Sequence, residues 1–158
     1  MNSQAHNTVA QAARLPSQRV RDIYHALNRD SLHLLDELYA ADATFIDPFH
    51  RIEGRAALHA YFAKMYANVS LIRFDFEDET ATADELVLYW TMTYAHPRLN
   101  GGRPVAVPGC TRFRFVTHAA SPDAGKVRLH RDYFDAGALL YEQIPLLGRV
   151  VRFLRERV

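Results

Sequence analysis

Apolar positions in this chain follow one period before residue 68 and another after it. In the first part the spacing is helical. Val20, Ile23, Tyr24 and Leu27 recur on one face behind Pro16 and Ser17, and after Arg29-Asp30-Ser31 a second set does the same with Leu32, Leu34, Leu35, Leu38 and Tyr39. The two sets predict a helical hairpin. ATFIDP, residues 43–48, reads as a short strand stopped by Pro48, and Gly54 precedes a third helix whose apolar side carries Leu58, Tyr61, Phe62, Met65 and Tyr66. Beyond Asn68 the period shortens to two. Stretches 71–78, 84–96, 104–118 and 126–135 read as strands, separated by acidic, NGG and SPDAG breaks suited to hairpin turns. Residues 137–157 form an amphipathic helical pattern interrupted near Pro145 and Gly148, with arginines toward its end. Residues 1–15 are small and polar and predict a flexible tail, leaving 16–158 as a single domain. Helices followed by an antiparallel meander imply an α+β fold, cone-like, with a strongly curved antiparallel or mixed sheet wrapped around the N-terminal helices and an internal cavity between them.

Alternation then assigns the faces. In 84–96 the set Leu86, Leu88, Trp90, Met92 and Tyr94 shares the interior side, and in 110–116 Thr111, Phe113 and Phe115 alternate with Arg112 and Arg114. Two unpaired arginines are costly to bury, so they face outward or meet a partner. In the last strand Val127, Leu129, Arg131 and Tyr133 oppose Arg128, His130, Asp132 and Phe134, and composition does not choose between the two sets.

Composition narrows the function. The 158 residues are 49% hydrophobic, enough for one sizeable core, and 19 Lys plus Arg against 18 Asp plus Glu give a net charge of +1. Such a balance creates no field that favours nucleic acid. Cys110 is the single cysteine, which excludes an internal disulfide and fits a reducing cytoplasm. The first residues lack the pattern of a signal peptide, and no run reaches the ~18 apolar residues of a membrane span, so a cytoplasmic location is expected. The histidines show no metal-ligand spacing such as HExxH, and the glycines form no phosphate-binding pattern. No metal and no nucleotide cofactor is implied.

Two segments carry a family resemblance. VRDIYHALNRDSLHLLDELYAADATFIDP and the late HRDYFD resemble the nuclear transport factor two-like superfamily, which includes ketosteroid isomerases, SnoaL-like polyketide cyclases and limonene epoxide hydrolases. The resemblance runs over most of residues 18–136 and implies the cone-shaped fold, while its members differ in function. It places Asp47 on the general-base aspartate of ketosteroid isomerase. That enzyme also needs two oxyanion donors, and their positions here hold Ile23, with Tyr24 adjacent, and Thr111. Limonene epoxide hydrolases bridge two carboxylates with an arginine; Asp132 matches one carboxylate, but DELVLYW offers Glu85 and no arginine. SnoaL-like cyclases ask for one aspartate on the last strand as acid and base, and Asp132 occupies that place. The family register turns His130, Asp132 and Phe134 into the cavity.

The resemblance therefore implies cofactor-independent acid–base catalysis, isomerase-, cyclase- or hydrolase-like, on a small hydrophobic molecule. The candidate catalytic residues are Asp132, His130 and Asp47, and the candidate substrate-binding residues are Tyr24, Phe62, Trp90, Met92, Tyr94, Thr111, Phe113, Phe115 and Phe134. Each carboxylate has a structural reading beside the catalytic one: Asp47 as a turn residue accepting backbone N–H groups, and Asp132 as half of an ion pair with His130 or an arginine. The alternative function is a non-catalytic binding or protein-interaction module. It would hold a hydrophobic ligand in the same pocket or bind a protein through its sheet; a third possibility is interaction through the terminal segment, whose apolar residues, such as Leu140, Ile144, Leu147 and Phe153, are otherwise expected to close the cavity or cover the sheet. A homodimer through the convex sheet face, near Arg112 and Arg114, is also expected.

Overall fold

The computed structural model describes residues 16–139, Arg149 and residues 153–157. The expected tail, 1–15, and most of the expected helix at 137–157 lie outside the described residues. Helix α1 covers 16–26, α2 Leu34–Leu38 and α3 Arg55–Asn68. The strands are β1 Tyr39–Ile46, β2 Arg51–Glu53, β3 Leu71–Ala81, β4 Glu85–Ala95, β5 Val105–Phe115 and β6 Val127–Phe134, and a short turn of helix, α4, follows at Ala136–Leu139. The α+β reading holds. One six-stranded sheet runs in the order β2-β1-β6-β5-β4-β3, and it is curled without closing. The pairing of β1 with β6 is parallel and every other pairing is antiparallel, so the sheet is mixed.

Helices α1, α2 and α3 close the concave side. Val20, Ile23 and Leu27 from α1, Leu35 and Leu38 from α2, and Leu58 and Phe62 from α3 pack against Phe45, Leu86, Leu88, Phe113, Phe115 and Val127 of the sheet. Each fully buried side chain of this size contributes about 1.5–3 kcal/mol relative to exposure. The expected inner set of β4 is inward: Leu86, Leu88, Trp90 and Tyr94 are buried and Met92 is half-buried.

Local departures from the sequence reading have identifiable causes. The second helix spans five residues, and Tyr39 begins β1 instead of ending a helix, because Tyr39 pairs with Val127 of β6. Sheet pairing overrides the helix preference of the Leu-, Ala-rich segment there. The three-residue β2 is too short for alternation to reveal. On β6, Val127 pairs with Phe115 and Leu129 with Arg114, so Arg128 is an extra residue. This bulge reverses the alternation, and Val127 and His130 both face inward despite lying on opposite sets in a regular strand. The NGG break turns the chain between β4 and β5 with Asn100, Gly101 and Gly102 all at positive φ.

Arginines Arg112 and Arg114 do face away from the core. Glu85 receives Arg112 through two bonds, at 2.9 and 2.7 Å, while Arg114 reaches Asp84 at 3.7 Å and Glu85 at 3.5 Å. Glu85 is thus an outer-face residue and lines none of the inner space. No helix among the described residues is long and apolar enough to cross a membrane.

Candidate functional site

The sheet register brings the polar inner residues together. Thr111 of β5 pairs with Asp132 of β6, and two residues along Phe113 pairs with His130, which in turn pairs with Phe45 of β1. The last β1–β6 pair is Ile46 with Arg131. One step further, the parallel register carries Asp47 toward Asp132.

His130 is 2% exposed and sits between rings. Its imidazole centroid lies 4.5 Å from that of Phe45 and 4.8 Å from that of Phe113, the latter edge-on. A polar ring in such surroundings must be hydrogen-bonded at both nitrogens. Nδ1 lies 2.7 Å from the Tyr39 hydroxyl and 3.3 Å from that of Tyr24, and the two hydroxyls are 2.7 Å apart. Nε2 lies 2.8 Å from Asp132 Oδ1. The Thr111 hydroxyl donates to the same Oδ1 at 2.5 Å, and Trp90 Nε1 donates to Thr111 Oγ1 at 2.8 Å. One neutral assignment, with Nδ1 as the acceptor, accounts for every contact except the 3.3 Å approach of Tyr24 to His130. Trp90 donates to Thr111, Thr111 to Asp132, His130 Nε2–H to Asp132, Tyr39 to His130 Nδ1, and Tyr24 to Tyr39. Two chains of donors converge on one carboxylate oxygen.

That convergence leaves Oδ2 of Asp132 without a hydrogen bond among the described residues, and the side chain is 16% exposed. Asp132 borders a cavity of about 110 Å³, room for a ligand of few heavy atoms and below the roughly 300–1,000 Å³ of drug-sized sites. Tyr24, Phe62, Trp90, Met92 and Phe134, all expected at the site, line it together with Asp47 and Asp132. Thr111, Phe113 and His130 border a narrower recess that shares Tyr24, Phe74, Trp90 and Asp132 with the cavity. Two expected residues are elsewhere. The Tyr94 hydroxyl donates to the Leu139 carbonyl, which anchors α4 at the cavity rim, and Phe115 belongs to the core at the far end of β5.

Asp47 occupies a different environment on the same wall. Pro48 ends the strand, and the Asp47 carboxylate closes the following turn: Oδ1 accepts from the backbone N–H groups of Phe49 and His50, both at 2.7 Å. Oδ2 accepts from the Tyr61 hydroxyl at 2.9 Å, and the His50 ring lies 3.1 Å from both oxygens. The Asp47 side chain is 5% exposed.

Burial raises the buried phenols well above their ordinary range, with the charge of Asp132 contributing to Tyr24, Tyr39 and Tyr61 and that of Asp47 to Tyr61. For Tyr39 the bond from Tyr24 partly offsets the rise. Burial alone pushes Tyr66 up to about 12. All four therefore remain neutral donors at physiological pH.

Sequence reasoning missed Tyr39, whose hydroxyl contacts His130, and the aromatic wall residues Phe45, Phe49, Tyr61 and Phe74. The signal for Phe45 and Phe49 lay in their flanking of Asp47. Trp90 shows what fixes one wall: its ring lies across Gly109, where an added Cβ would meet ring carbons at 2.4–2.8 Å. Glycine at that strand position makes room for the indole to reach Thr111. Among the described residues no group of three or more His, Cys, Asp or Glu is placed to hold a metal ion.

The profile of the SnoaL-like domain family matches residues 20–120. No curated protein matches the chain. Solved structures resemble it at low identity. An NTF2-like protein of unknown function from Burkholderia pseudomallei superposes with a TM-score of 0.67 at 18% identity, covering 82% of this chain and 97% of the other. A protein of ketosteroid isomerase-like fold from Catenulispora acidiphila, solved in complex with trimethylamine, gives 0.67 at 16%, covering 86% and 97%. One described as a SnoaL-like polyketide cyclase from Shewanella denitrificans gives 0.65 at 19%, covering 79% and 93%. At these identities the likeness carries the fold and no ligand.

Proposed function

The chain belongs to the SnoaL-like domain family, and from that premise we propose that it is a cofactor-independent acid–base catalyst acting on a small, mostly apolar molecule held in the aromatic cavity. The observation that carries this reading is the one-sided anchoring of Asp132: Oδ1 is fixed by His130 and Thr111, Oδ2 has no hydrogen bond among the described residues, and the side chain lines the cavity. A carboxylate so held has a fixed direction for proton transfer, and a positioned general base contributes roughly 10²–10⁴-fold to rate. His130 and Tyr39 are positioning residues in this scheme, since they reach the substrate only through Asp132 or Tyr24, and Tyr24 itself lines the cavity. Asp47 holds the turn that carries Phe49 and presents a second acceptor.

The test is exchange of the α-hydrogens of cyclohexanone and cyclohexenone in deuterated water, followed by proton NMR. Wild type should exceed the buffer rate, and Asp132→Asn should lose at least about 100-fold of that excess. Full exchange by Asp132→Asn overturns the assignment. The second reading, binding without turnover, is favoured by one observation. With His130 Nδ1 as acceptor, the wall hydroxyls and the indole N–H are all committed to protein acceptors, so no donor awaits a developing oxyanion. Wild type at the buffer rate for both ketones would select that reading.

The same proposal includes a homodimer through the outer sheet face. There Tyr89, Cys110 and Tyr133 lie side by side in register, and both tyrosines are exposed. Light scattering at micromolar concentration should return twice the chain mass, and a monomer removes the claim.

A further inference from the structure

Resting on the reading of this cavity as a ligand site, we infer that its occupant is a cation: a small aliphatic or cyclic amine in its ammonium form, with its N–H directed at Asp132 Oδ2 and its carbon skeleton against the rings. The inference starts from an inventory of polar hydrogens. Among the described residues lining the cavity there is no lysine, arginine or histidine, and there are two carboxylates. Three side chains on the wall carry a polar hydrogen. Tyr61 donates to Asp47 Oδ2 and Trp90 to Thr111. Tyr24 is engaged with Tyr39 and His130, and with His130 Nδ1 as acceptor both phenol protons are used inside the relay. What remains for a ligand is acceptor capacity.

Such a wall discriminates by charge. A carboxylate or phosphate would meet Asp132 with no donor to offset the repulsion. An ammonium supplies the missing donors. It also suits the rest of the surface, because the negative faces of aromatic rings attract a cation, by about 0.5–1 kcal/mol at exposed sites and about 2 when desolvated. Trp90, Phe134 and Phe49 stand in succession beside Asp132, with centroid separations of 6.2 and 6.1 Å. The charge of Asp132 also contributes, after burial, to holding Tyr24 and Tyr39 above the phenol range.

Three probes with one ring and three head groups test this: cyclohexylammonium, cyclohexanol and cyclohexanecarboxylate, titrated calorimetrically into the full chain at about pH 8. Alkylammonium keeps its proton there. The ammonium should bind at least about tenfold more tightly than the alcohol, and the carboxylate most weakly. Asp132→Asn should abolish the ammonium advantage while retaining the alcohol, and Phe134→Leu should narrow it. An alcohol or carboxylate that binds as tightly as the ammonium overturns the inference and leaves the cavity reading intact. An ammonium advantage that survives both substitutions places the cation elsewhere and also overturns it. Failure of all three probes to bind overturns the inference and the cavity reading together.

Discussion

Asp47 and Asp132 border one cavity, yet the first is held by both of its oxygens and the second by one. Asp47 accepts two backbone N–H groups and a phenol, with a histidine ring beside it, and its side chain is nearly enclosed. Asp132 accepts a threonine hydroxyl and an imidazole N–H on Oδ1 and leaves Oδ2 without a hydrogen bond among the described residues. The difference originates in local structure. Asp47 precedes a proline at a strand end, where free backbone N–H groups of the turn lie within reach. Asp132 sits mid-strand, where backbone groups are consumed by the ladder, and its partners are side chains: Thr111 across the register and His130 two residues back on its own strand. A carboxylate saturated by its surroundings is part of the frame, and one with an unspent oxygen can do chemistry.

The largest effect should come from removing the anchor on which that contrast depends. His130→Ala leaves the Tyr39 hydroxyl and Asp132 Oδ1 short of a partner and opens a void between Phe45 and Phe113. Lost packing and unpaired buried groups together predict a loss of about 3–5 kcal/mol in urea unfolding. A loss under about 1 kcal/mol would mean that the relay is not holding Asp132.

The carboxylates themselves should then separate in opposite senses. Asp47→Ala strands two backbone N–H groups and the Tyr61 hydroxyl, which predicts about 2–3 kcal/mol of destabilisation. Asp132→Asn keeps an oxygen for Thr111 and His130 and should cost under about 1 kcal/mol, while carrying the larger loss in proton exchange. Equal stability costs for the two substitutions would erase the distinction.

Much of the frame was legible in the sequence because alternation and helical spacing are direct records of burial. β3, β4, β5 and β6 fall where the period-two stretches place them, and Arg112 and Arg114 face outward as their cost of burial requires. The site was legible in part. His130, Asp132, Tyr24, Trp90 and Phe134 meet, but the inward direction of β6 came from family register, since the bulge at Arg128 puts Val127 and His130 on the same side and defeats a simple count. Tyr39 was hidden for another reason. Its neighbours favour helix, and only pairing with β6, 88 residues away in sequence, turns it into a strand residue facing His130. Tyr94 and Phe115 share the inner face but lie beyond the ends of the cavity, a distinction that a face assignment alone does not contain.

A smaller, pH-dependent effect sharpens the view of the relay as a neutral network. Tyr39 has an ordinary value of 10.0 in the unfolded chain and a higher one when folded, chiefly through burial. Below pH 10 both states keep the proton, so the contribution is constant. Above it the unfolded chain releases a proton that the folded chain retains, and stability falls as pH rises. Tyr39→Phe should make that alkaline decline less steep, by up to about 1.4 kcal/mol per pH unit. An unchanged slope would mean that Tyr39 ionises as readily in the fold as outside it.

The smallest effect belongs to the outer face, where the same strands carry charge without a relay. Thr111 and Arg112 are adjacent in sequence; Thr111 is locked between Trp90 and Asp132, while Arg112 pairs with Glu85 near solvent. The hydrogen bond from Arg112 holds the Glu85 carboxyl below its ordinary 4.5; burial, the next-largest cause, opposes it, and the charges of Arg112 and Arg114 add to the lowering. A lowered value stabilises the fold fully above 4.5, and that stability is lost as pH falls through the folded value, because the unfolded chain takes up its proton first. Arg112→Ala should remove this part of the acid transition, and high salt should weaken it in wild type, since screening acts on partly solvated pairs. Arg112→Ala should leave binding of the cyclohexyl probes unchanged, because their contacts lie on the other side of the sheet. If Arg112→Ala weakened that binding, the two faces of β5 would be coupled, and the inner carboxylate would owe its position to the outer ion pair as well as to His130.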